Sequence, residues 1–433
     1  MDSNSSSVDN ALKNDSISAH RRRKGKIETI GKVAVEGAKD LSMYYTPGVA
    51  YVCLEINKDK ELSYEYTNRA NSIAIVTDGT RILGLGNIGP EAGMPVMEGK
   101  ALLLKKFGGV DATPIAVAST DEQEIIKFIR MIAPTYGAIN LEDLETPKAI
   151  NVLKALEADL PIPIFHDDSY GTGIVAYAGL KNALKLVGKR LGQVKIVING
   201  AGSAGYGISK LLYFAGARNI ITCDREGAIY KGRGSHMNTV KEEIADYTNK
   251  GMVKGSLAEL ARGADVLIGV SSKGEFTTEI IRSMAEKPIV FALANPDPEI
   301  TYDDARAAGV EIVATGVSGV PNQVNNMVAF PGVFRGLLDT RSSRMSMEMM
   351  VVAGDAIAKT VKKSQLSRDY IVPDFNDKKM AIKATANVAE AVAEAAVKTG
   401  VARLQVDPAD VKANFLAMVK RYNKIEKYVS KLD

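Results

Sequence analysis

The chain has no tryptophan, two cysteines and three histidines among its 433 residues. Cys53 and Cys223 lie far apart in apolar stretches, so the sequence contains neither a disulfide framework nor the grouped ligands of a zinc site. No apolar run approaches the ~18 residues that a membrane helix requires. We therefore expect a cytoplasmic protein with no membrane partner.

Neither sign of charge is in strong excess. With 55 basic and 51 acidic side chains, the formal net charge is +4, which is too small and too dispersed to predict a nucleic-acid partner. The first 25 residues are rich in Ser, Asn and Asp and end in a basic run at 20–24. We expect residues 1–25 to form a flexible tail whose basic run is solvated, with contact to an anionic partner as the alternative.

Alternating strand and helix patterns follow this tail and predict an α/β protein. Residues 72–77 and 81–85 are expected to pair as a hairpin. Further strands are predicted at 113–118, 136–141, 162–165, 194–199, 219–224, 264–270, 288–294 and 311–315. We predict two domains, an N-terminal α/β domain at 26–165 and a Rossmann-like, doubly wound parallel sheet at 166–340. Residues 341–433 are predicted to be a helical tail that packs on a domain or on a partner subunit.

A glycine-rich turn follows the predicted strand at 194–199. Its glycines have the G-x-G-x-x-G spacing, in which the first permits a tight turn, the second admits a pyrophosphate and the third lets helix and strand pack closely. The following helix would point its N-terminal N–H groups at the anion. The residues assigned to this dinucleotide site are Gly200, Gly202, Ser203, Ala204 and Gly205.

An acid, Asp224, closes the next predicted strand. It lies about 20 residues beyond the glycines, where the fingerprint places the partner of a ribose hydroxyl. An acid there disfavours a 2′-phosphate and favours NAD, whereas the neighbouring Arg225 has the charge that favours NADP. We predict NAD as the coenzyme, with NADP as the alternative.

Two pairs of adjacent carboxylates, Glu142-Asp143 and Asp167-Asp168, each follow a predicted strand. Open α/β sheets bind ligands at the carboxyl ends of their strands, and clustered carboxylate oxygens suit Mg²⁺ or Mn²⁺. The alternative for either pair is helix capping or a solvated turn. His166 precedes the second pair, and we interpret it as a packed or hydrogen-bonded histidine rather than a ligand.

Three other side chains are candidates for chemistry. Lys100 begins an apolar run, where burial would lower its pKa toward the range of a general base; the alternative is a surface position. Arg81 has the planar fork that binds a carboxylate, with a simple salt bridge as the alternative. Tyr45 precedes a Thr-Pro-Gly turn. Without further context we expect it to be a packed aromatic side chain.

In combination, these segments resemble malic enzymes, and most closely the compact microbial form. The resemblance runs in order from about Ala38 to Leu338. The segments that carry it are 45–49, 77–86, 95–100, 140–143, 165–172, the glycine turn, 294–299, 321–326 and 330–332. The C-terminal segment resembles the family only in being rich in helices, without a matching motif.

The resemblance implies oxidative decarboxylation of L-malate to pyruvate and CO₂ with NAD(P)⁺ and Mg²⁺ or Mn²⁺. It assigns malate and the metal to residues 26–165 and NAD(P) to residues 166–340, in a homodimer or larger assembly. By motif, the implied metal ligands are Glu142, Asp143 and Asp168. Lys100 is similar to the base that removes the C2 hydroxyl proton, Asp167 to the acid that holds it, and Tyr45 to the acid that protonates C3.

For the substrate, the resemblance implies Arg81, Asn295 and Asn326, with Val270 and Asn295 also beside the coenzyme. The chain departs from the compact pattern at Ser169, Tyr170 and Gly173 and in the run at 316–320. Arg81 is itself a departure, and we expect it to take over carboxylate recognition. The alternatives to a malic enzyme are a relative that mainly decarboxylates oxaloacetate and a non-catalytic NAD-binding sensor or scaffold.

Overall fold

A computed structural model describes residues 3–431. Its first sheet consists of β1 (Ser72–Thr77), β2 (Asp111–Ala116), β3 (Ala138–Leu141) and β4 (Ile164–His166). These strands lie in the order β2-β1-β3-β4 and pair in parallel. Every residue of β1 is buried, because the strand is central and has helices over its faces.

The second sheet consists of β5 (Lys195–Asn199), β6 (Asn219–Asp224), β7 (Gly227–Ala228), β8 (Val266–Gly269), β9 (Ile289–Ala292) and β10 (Ile312–Thr315). The order is β10-β9-β8-β5-β6-β7, parallel except for the short β7. The chain passes to one side of β5 for β6 and to the other for β8, which creates the crevice where such sheets bind ligands. The predicted doubly wound sheet is confirmed.

Helices surround both sheets. Those up to the end of the first sheet are α1 (Ser3–Arg23), α2 (Ala38–Tyr44), α3 (Gly48–Lys58), α4 (Ser63–Tyr66), α5 (Pro90–Leu103), α6 (Glu122–Ile132) and α7 (Lys148–Glu157). Those around the second sheet are α8 (Thr172–Val187), α9 (Ser203–Phe214), α10 (Thr239–Tyr247), α11 (Leu257–Ala261), α12 (Thr278–Arg282) and α13 (Tyr302–Ala307). The last four are α14 (Phe330–Asp339), α15 (Met347–Thr360), α16 (Lys378–Lys398) and α17 (Pro408–Val429).

The C-terminal helices pack on both halves of this chain. Phe334 of α14 meets Phe165 of β4 with ring centroids 5.4 Å apart. On α15, Gly354 lies against the ring of Tyr177 in α8, because a Cβ atom there would be 2.5 Å from the ring. Small residues let these helices approach closely, so the helical tail completes the core. Within residues 3–431, no helix is long and apolar enough to cross a membrane.

One expectation about local structure is wrong. The hairpin at 72–85 does not form, because β1 pairs in parallel with β2 and β3 on its two edges, and the following loop forms only a single bridge between Ile82 and Gly86. The tail expected at 1–25 contains helix α1, and its flexibility stays a prediction. From Asn10 onward most side chains of α1 are exposed, so its polar composition reflects solvent contact rather than a lack of helix.

Candidate active site

The two carboxylate pairs lie side by side at the carboxyl edge of the first sheet. Glu142 and Asp143 follow β3, and Asp167 and Asp168 follow β4. The two strands are parallel neighbours in which Leu141 lies opposite the last residue of β4. Since parallel strands end at the same edge, the pattern predicted this meeting of the two pairs.

Three of the four carboxylates form a cluster. Glu142, Asp143 and Asp168 each present one oxygen, and these oxygens lie within 4.8 Å of one another. Asp168 Oδ2 accepts the backbone N–H of Asp143 at 3.0 Å. Asp143 has a left-handed φ of 56°, and its Oδ2 is buried without a hydrogen-bond partner among the described residues. A hard divalent cation prefers such oxygens, so the cluster fits Mg²⁺ or Mn²⁺.

The electrostatics of the cluster agree with a cation site. Burial, followed by the charge of Asp168, raises the pKa of Asp143 to about 7. Burial raises the pKa of Glu142 well above its usual range, and the neighbouring aspartates add to this although Lys100 opposes it. Carboxylates this close repel each other when all are ionised, and a bound cation removes that repulsion.

His166 contacts the cluster through Asp168. Its Nε2 lies 3.3 Å from Asp168 Oδ2, and its Nδ1 lies 3.1 Å from Ser169 Oγ. Burial acts to raise the pKa of Asp168, but the hydrogen bond and charge of His166, together with Lys100, leave it below its ordinary value. The interpretation of His166 as a hydrogen-bonded histidine is confirmed. Ser169, a departure from the compact pattern, is its second partner.

Lys100 reaches the same cluster from α5. Its Nζ forms ion pairs with Glu142 and Asp167 and lies 4.8 Å from the centroid of the Phe330 ring. Burial lowers the pKa of Lys100, but Asp167, Glu142 and Asp168 raise it further, so the net pKa is above the ordinary value. The expected lowering is therefore wrong for this arrangement, because the apolar run predicts burial but not the three acids around the amine.

Asn326, which the resemblance places at the substrate, donates hydrogen bonds to Asp167. Its Nδ2 donates to the backbone oxygen of Asp167 at 3.1 Å and to Oδ2 at 3.2 Å, while its Oδ1 accepts from Thr172 Oγ1 at 3.2 Å. Asp167 is thus fixed between Asn326 and Lys100. Sequence reasoning missed this contact, since nothing in the primary order links residues 159 positions apart.

The structure does not bring the side chains of Tyr45 and Arg81 into the cluster. Tyr45 is 70% exposed, and neither α2 nor α3 has a buried residue. Arg81 is also exposed, but its backbone N–H donates to the carbonyl of Asp143 at 3.0 Å. No ion pair within residues 3–431 involves its guanidinium, so Arg81 lies beside the cluster without the salt bridge that was the alternative.

The glycine turn has the geometry that its spacing predicts. Gly200 has a φ of 119°, and a Cβ atom there would lie 2.7 Å from the carbonyl oxygen of Val270. A Cβ atom at Gly205 would overlap the carbonyl of Gly200. At Gly202, by contrast, the nearest such contact is 4.0 Å away, at Thr146 Oγ1. The turn is closed towards the sheet and open at Gly202, which leaves room for a pyrophosphate beside the N-terminus of α9.

Two contacts join this turn to the carboxylate edge. Ser203 Oγ, at the start of α9, lies 2.6 Å from Thr146 Oγ1, which belongs to the loop that follows Asp143. A Cβ atom at Gly84, in the loop after Arg81, would lie 2.6 Å from the backbone oxygen of Asn295. The carboxylate cluster and the glycine turn therefore face one cleft between the two sheets.

Asp224, the expected ribose partner, has no free acceptor position. Its Oδ1 accepts from Arg233 at 2.9 Å and from the N–H of Glu226 at 3.0 Å, and its Oδ2 accepts from Arg233 at 2.6 Å and pairs with Lys241 at 2.7 Å. Although burial acts to raise it, these partners lower the pKa of Asp224 to about 2. These partners occupy the acceptor positions that a ribose hydroxyl would use, so the role of Asp224 at the ribose stays a prediction, while Arg225 is exposed.

Two departures from the compact pattern have structural explanations. A Cβ atom at Gly173 would lie 2.8 Å from the carbonyl oxygen of Gly207, so glycine lets α8 and α9 cross closely. Tyr170 donates its hydroxyl to Glu157 at 3.0 Å. Burial raises the pKa of Glu157 to about 7, although the Tyr170 hydrogen bond opposes it.

Replacing Glu157 by glutamine is expected to change the pH dependence of stability. A carboxyl whose folded pKa is raised stabilises the fold below its unfolded pKa, and this contribution is lost as pH rises through the folded pKa. Between about pH 4.5 and 7 the wild type should lose up to about 3 kcal/mol relative to Glu157→Gln. Thermal unfolding at several pH values measures the difference. Glu394→Gln, at an exposed position, should show none, and a pH-independent gap for Glu157→Gln would contradict the prediction.

The comparisons with known proteins show the family of this chain. The family models for the malic enzyme N-terminal domain and for the malic enzyme NAD-binding domain match residues 24–157 and 170–397. The chain is 50% identical to the "Bifunctional malic/malolactic enzyme" of Bacillus subtilis, covering 93% of this chain and 97% of that one. It is 49% identical to the "NAD-dependent malic enzyme" of Geobacillus stearothermophilus, over 88% and 78%.

Solved structures of malic enzymes are also similar to this chain. The malic enzyme from Pyrococcus horikoshii is 42% identical with a TM-score of 0.90, covering 94% of this chain and 95% of that one. The Entamoeba histolytica malic enzyme is 37% identical with a TM-score of 0.92, covering 98% and 89%. The chain therefore belongs to the malic enzyme family of NAD(P)-dependent, decarboxylating oxidoreductases.

Proposed function

We propose that this chain converts L-malate to pyruvate and CO₂ in the cleft between its two sheets, using the residues gathered there. The observation that carries the proposal is the convergence of Glu142, Asp143 and Asp168 beside Lys100, in a cleft that also holds the glycine turn. A protein that only bound a nucleotide would have no use for such an arrangement. This argues against a non-catalytic sensor or scaffold.

Each group has a distinct task. Glu142, Asp143 and Asp168 hold the divalent cation, which when bound supplies a Lewis acid at a substrate oxygen. The glycine turn holds NAD(P)⁺, which supplies the hydride acceptor. Lys100 Nζ exchanges a proton with the C2 hydroxyl of malate, and Asp167 orients that amine through their ion pair. Asn326 keeps Asp167 in place.

Carboxylate recognition falls to Arg81. Its backbone N–H is bonded to Asp143, which fixes the base of the side chain beside the cluster while the guanidinium stays exposed. A guanidinium binds a carboxylate through two parallel hydrogen bonds. Arg81→Ala should therefore raise the KM for malate by about 10-fold or more, with a smaller effect on kcat. An unchanged KM for malate would remove Arg81 from the substrate site.

We further propose that two copies of the chain form a dimer. The α2–α3 surface is formed by large apolar side chains that are 38% to 70% exposed, namely Leu41, Met43, Tyr44, Tyr45, Val49, Tyr51, Val52 and Leu54. Contiguous exposed apolar surface marks an interface, and a twofold homodimer is the commonest closed assembly. In this proposal the α2–α3 surface packs on the partner, and Tyr45 enters the partner's cleft as the acid for C3. We place the dimer in a reducing cytoplasm, since Cys53 and Cys223 are both free thiols.

The decisive experiment measures products as well as rates. Malate is supplied with NAD⁺ or NADP⁺ and with Mg²⁺ or Mn²⁺, and EDTA is the control. Pyruvate, CO₂ and reduced coenzyme in equal amounts, lost on chelation, support the proposal. Tight coenzyme binding without metal-stimulated turnover would refute it.

The name of the 50% identical relative, a bifunctional malic/malolactic enzyme, suggests a second candidate activity. If the reduced coenzyme stays bound and returns its hydride to pyruvate, the product is lactate. Lactate that accumulates without net NADH would support this second activity, whereas pyruvate with stoichiometric NADH would exclude it. Decarboxylation of added oxaloacetate without malate oxidation identifies the remaining alternative.

Metal binding by the carboxylate cluster has its own test. Asp143→Asn removes one charged ligand and should weaken Mn²⁺ binding by at least about 10-fold, as measured by calorimetry without substrate. Asp246→Asn is a matched control, because the Asp246 side chain is 64% exposed in the second half of the chain. Equal Mn²⁺ affinities in the two variants would show that the cluster does not hold the metal.

A further inference from the structure

Glu299 is a completely buried acid at the carboxyl edge of the second sheet, on the side of β8 and β9. Its exposed fraction is 0%, and no ion pair within residues 3–431 involves its carboxylate. Burial raises the pKa of Glu299, although backbone N–H groups oppose this. Burying an acid without a cation costs free energy, so stability alone does not explain its position.

The carboxylate of Glu299 joins the loops that follow β8 and β9. Its Oε1 accepts the backbone N–H of Ser271 at 2.8 Å, and its Oε2 accepts that of Ala294 at 3.1 Å. The backbone carbonyl of Glu299 also accepts the N–H of Phe276 at 3.2 Å, further along the loop after β8. A carboxylate accepts hydrogen bonds on both oxygens, whereas a glutamine would turn an NH₂ group towards one of the two N–H donors.

Gly269, the last residue of β8, provides the space for this carboxylate. A Cβ atom at Gly269 would lie 2.3 Å from Cδ of Glu299, so a side chain there would displace it. Gly269 is in register with Ala292 of β9, and the two loops therefore leave the sheet side by side. The carboxylate lies across the ends of both strands.

The two loops that Glu299 joins face the cleft. On the first loop, the carbonyl of Val270 lies against Gly200 of the dinucleotide turn. On the second, the backbone oxygen of Asn295 lies against Gly84, beside the carboxylate cluster. A dinucleotide crosses a sheet of this kind at the switch point, with its adenosine half on the β6 side. Its nicotinamide half therefore lies over the loops after β8 and β9.

We propose that Glu299 is a positioning residue for hydride transfer, which holds these two loops at a fixed separation and so sets where the nicotinamide lies relative to C2 of malate. It acts through Val270 and Asn295 rather than by touching the coenzyme or the substrate. The inference rests on the proposed function, because it assumes that the coenzyme occupies the glycine turn. The adenosine half, on the other side of the switch point, does not depend on Glu299.

Calorimetry with NAD⁺, NADP⁺ and ADP tests the proposal without turnover, since ADP lacks the nicotinamide half. Glu299→Gln leaves one buried N–H without an acceptor. The coenzyme that the wild type binds more tightly should therefore bind about 10-fold more weakly, while ADP should bind as it does to the wild type. Gly269→Ala displaces the carboxylate from the opposite side and should reproduce both results.

Steady-state rates with malate deuterated at C2 provide a second readout. A misplaced nicotinamide slows the hydride step, so Glu299→Gln should lower kcat by about 10-fold or more and raise the deuterium isotope effect on kcat. The affinity for Mn²⁺ should not change, because the carboxylate cluster lies on the first sheet. A merely structural role would lower the amount of folded protein without changing the isotope effect.

Asp297→Asn is the matched control. Asp297 pairs with Lys273 at 3.3 Å and so joins the same two loops, but the two side chains are 56% and 72% exposed. An exposed ion pair contributes little, so this variant should match the wild type in every measurement.

Two results would overturn the inference while the dinucleotide site stands. One is an equal weakening of coenzyme and ADP binding in Glu299→Gln, and the other is no weakening of either. If neither the coenzymes nor ADP bind to the wild type, the glycine turn is not the coenzyme site, and the proposed function fails as well.

Discussion

Lys100→Ala is expected to lower kcat for malate oxidation by about 10²- to 10⁴-fold, the usual contribution of a positioned acid or base. The Nζ atom is the only amine placed against both Glu142 and Asp167 among the described residues. The rate of NADH or NADPH appearance measures the loss.

Two controls separate a catalytic role from a structural one. Lys105 lies just beyond the end of the same helix and forms a partly exposed ion pair of 2.6 Å with Asp111. Lys105→Ala should therefore leave kcat unchanged. Mn²⁺ should bind Lys100→Ala at least as tightly as wild type, because a positive charge next to Glu142 is gone. Oxaloacetate has no hydroxyl proton, so its decarboxylation should suffer less than malate oxidation. Malate oxidation at the wild-type rate would contradict the assignment.

The sequence predicted those parts of the candidate site that lie at the ends of strands. The residues Glu142, Asp143, Asp167 and Asp168 each follow an apolar run, and parallel strands end at a common edge. The glycine spacing was informative for the same reason, since it came directly after a strand and opened a helix. Such features depend on local periodicity and on a general rule of sheet topology, so no knowledge of distant contacts is needed.

Contacts between distant segments could not be predicted in this way. The pairing of Asp224 with Arg233 and Lys241 depends on how the segment after β6 folds back, which no periodicity encodes. The pKa of Lys100 depends on three acids from two strands, while the sequence around it shows only the apolar run. The strand at Ser72–Thr77 was correctly located, but its parallel pairing on both edges depends on β2 and β3. A nearby turn therefore suggested a hairpin that does not form.

The exposed position of Tyr45 differs from the catalytic role that its motif implies, and the proposed dimer would account for this difference. Tyr45→Phe keeps the ring but removes the hydroxyl that would protonate C3. This change is expected to lower kcat by about 10²-fold or more. It should leave Mn²⁺ binding unchanged, because in the proposed dimer Tyr45 and the carboxylate cluster of one cleft come from different chains. By itself, however, this loss does not show which subunit supplies the tyrosine.

Mixing two inactive variants gives that answer. Suppose that each cleft uses Lys100 of its own chain and Tyr45 of the partner. A dimer of one Tyr45→Phe chain and one Lys100→Ala chain then has one cleft with both defects and one intact cleft. Since half of the randomly paired dimers are of this mixed kind, the mixture should recover about a quarter of wild-type activity. If Tyr45 acts within its own chain, every cleft carries one defect and nothing is recovered.

The matched control mixes Lys100→Ala with Asp168→Asn. Lys100 pairs with Asp167 and Asp168 adjoins it in the same chain, so both changes damage the chain's own cleft and no pairing of subunits can restore one. Co-expression of the two chains with different tags isolates the mixed dimers, in which the Tyr45→Phe and Lys100→Ala pair should reach about half of wild-type activity. Recovery in that pair but not in the control requires a tyrosine supplied across the interface. Equal inactivity of both mixed dimers would place Tyr45 within its own subunit or outside the reaction.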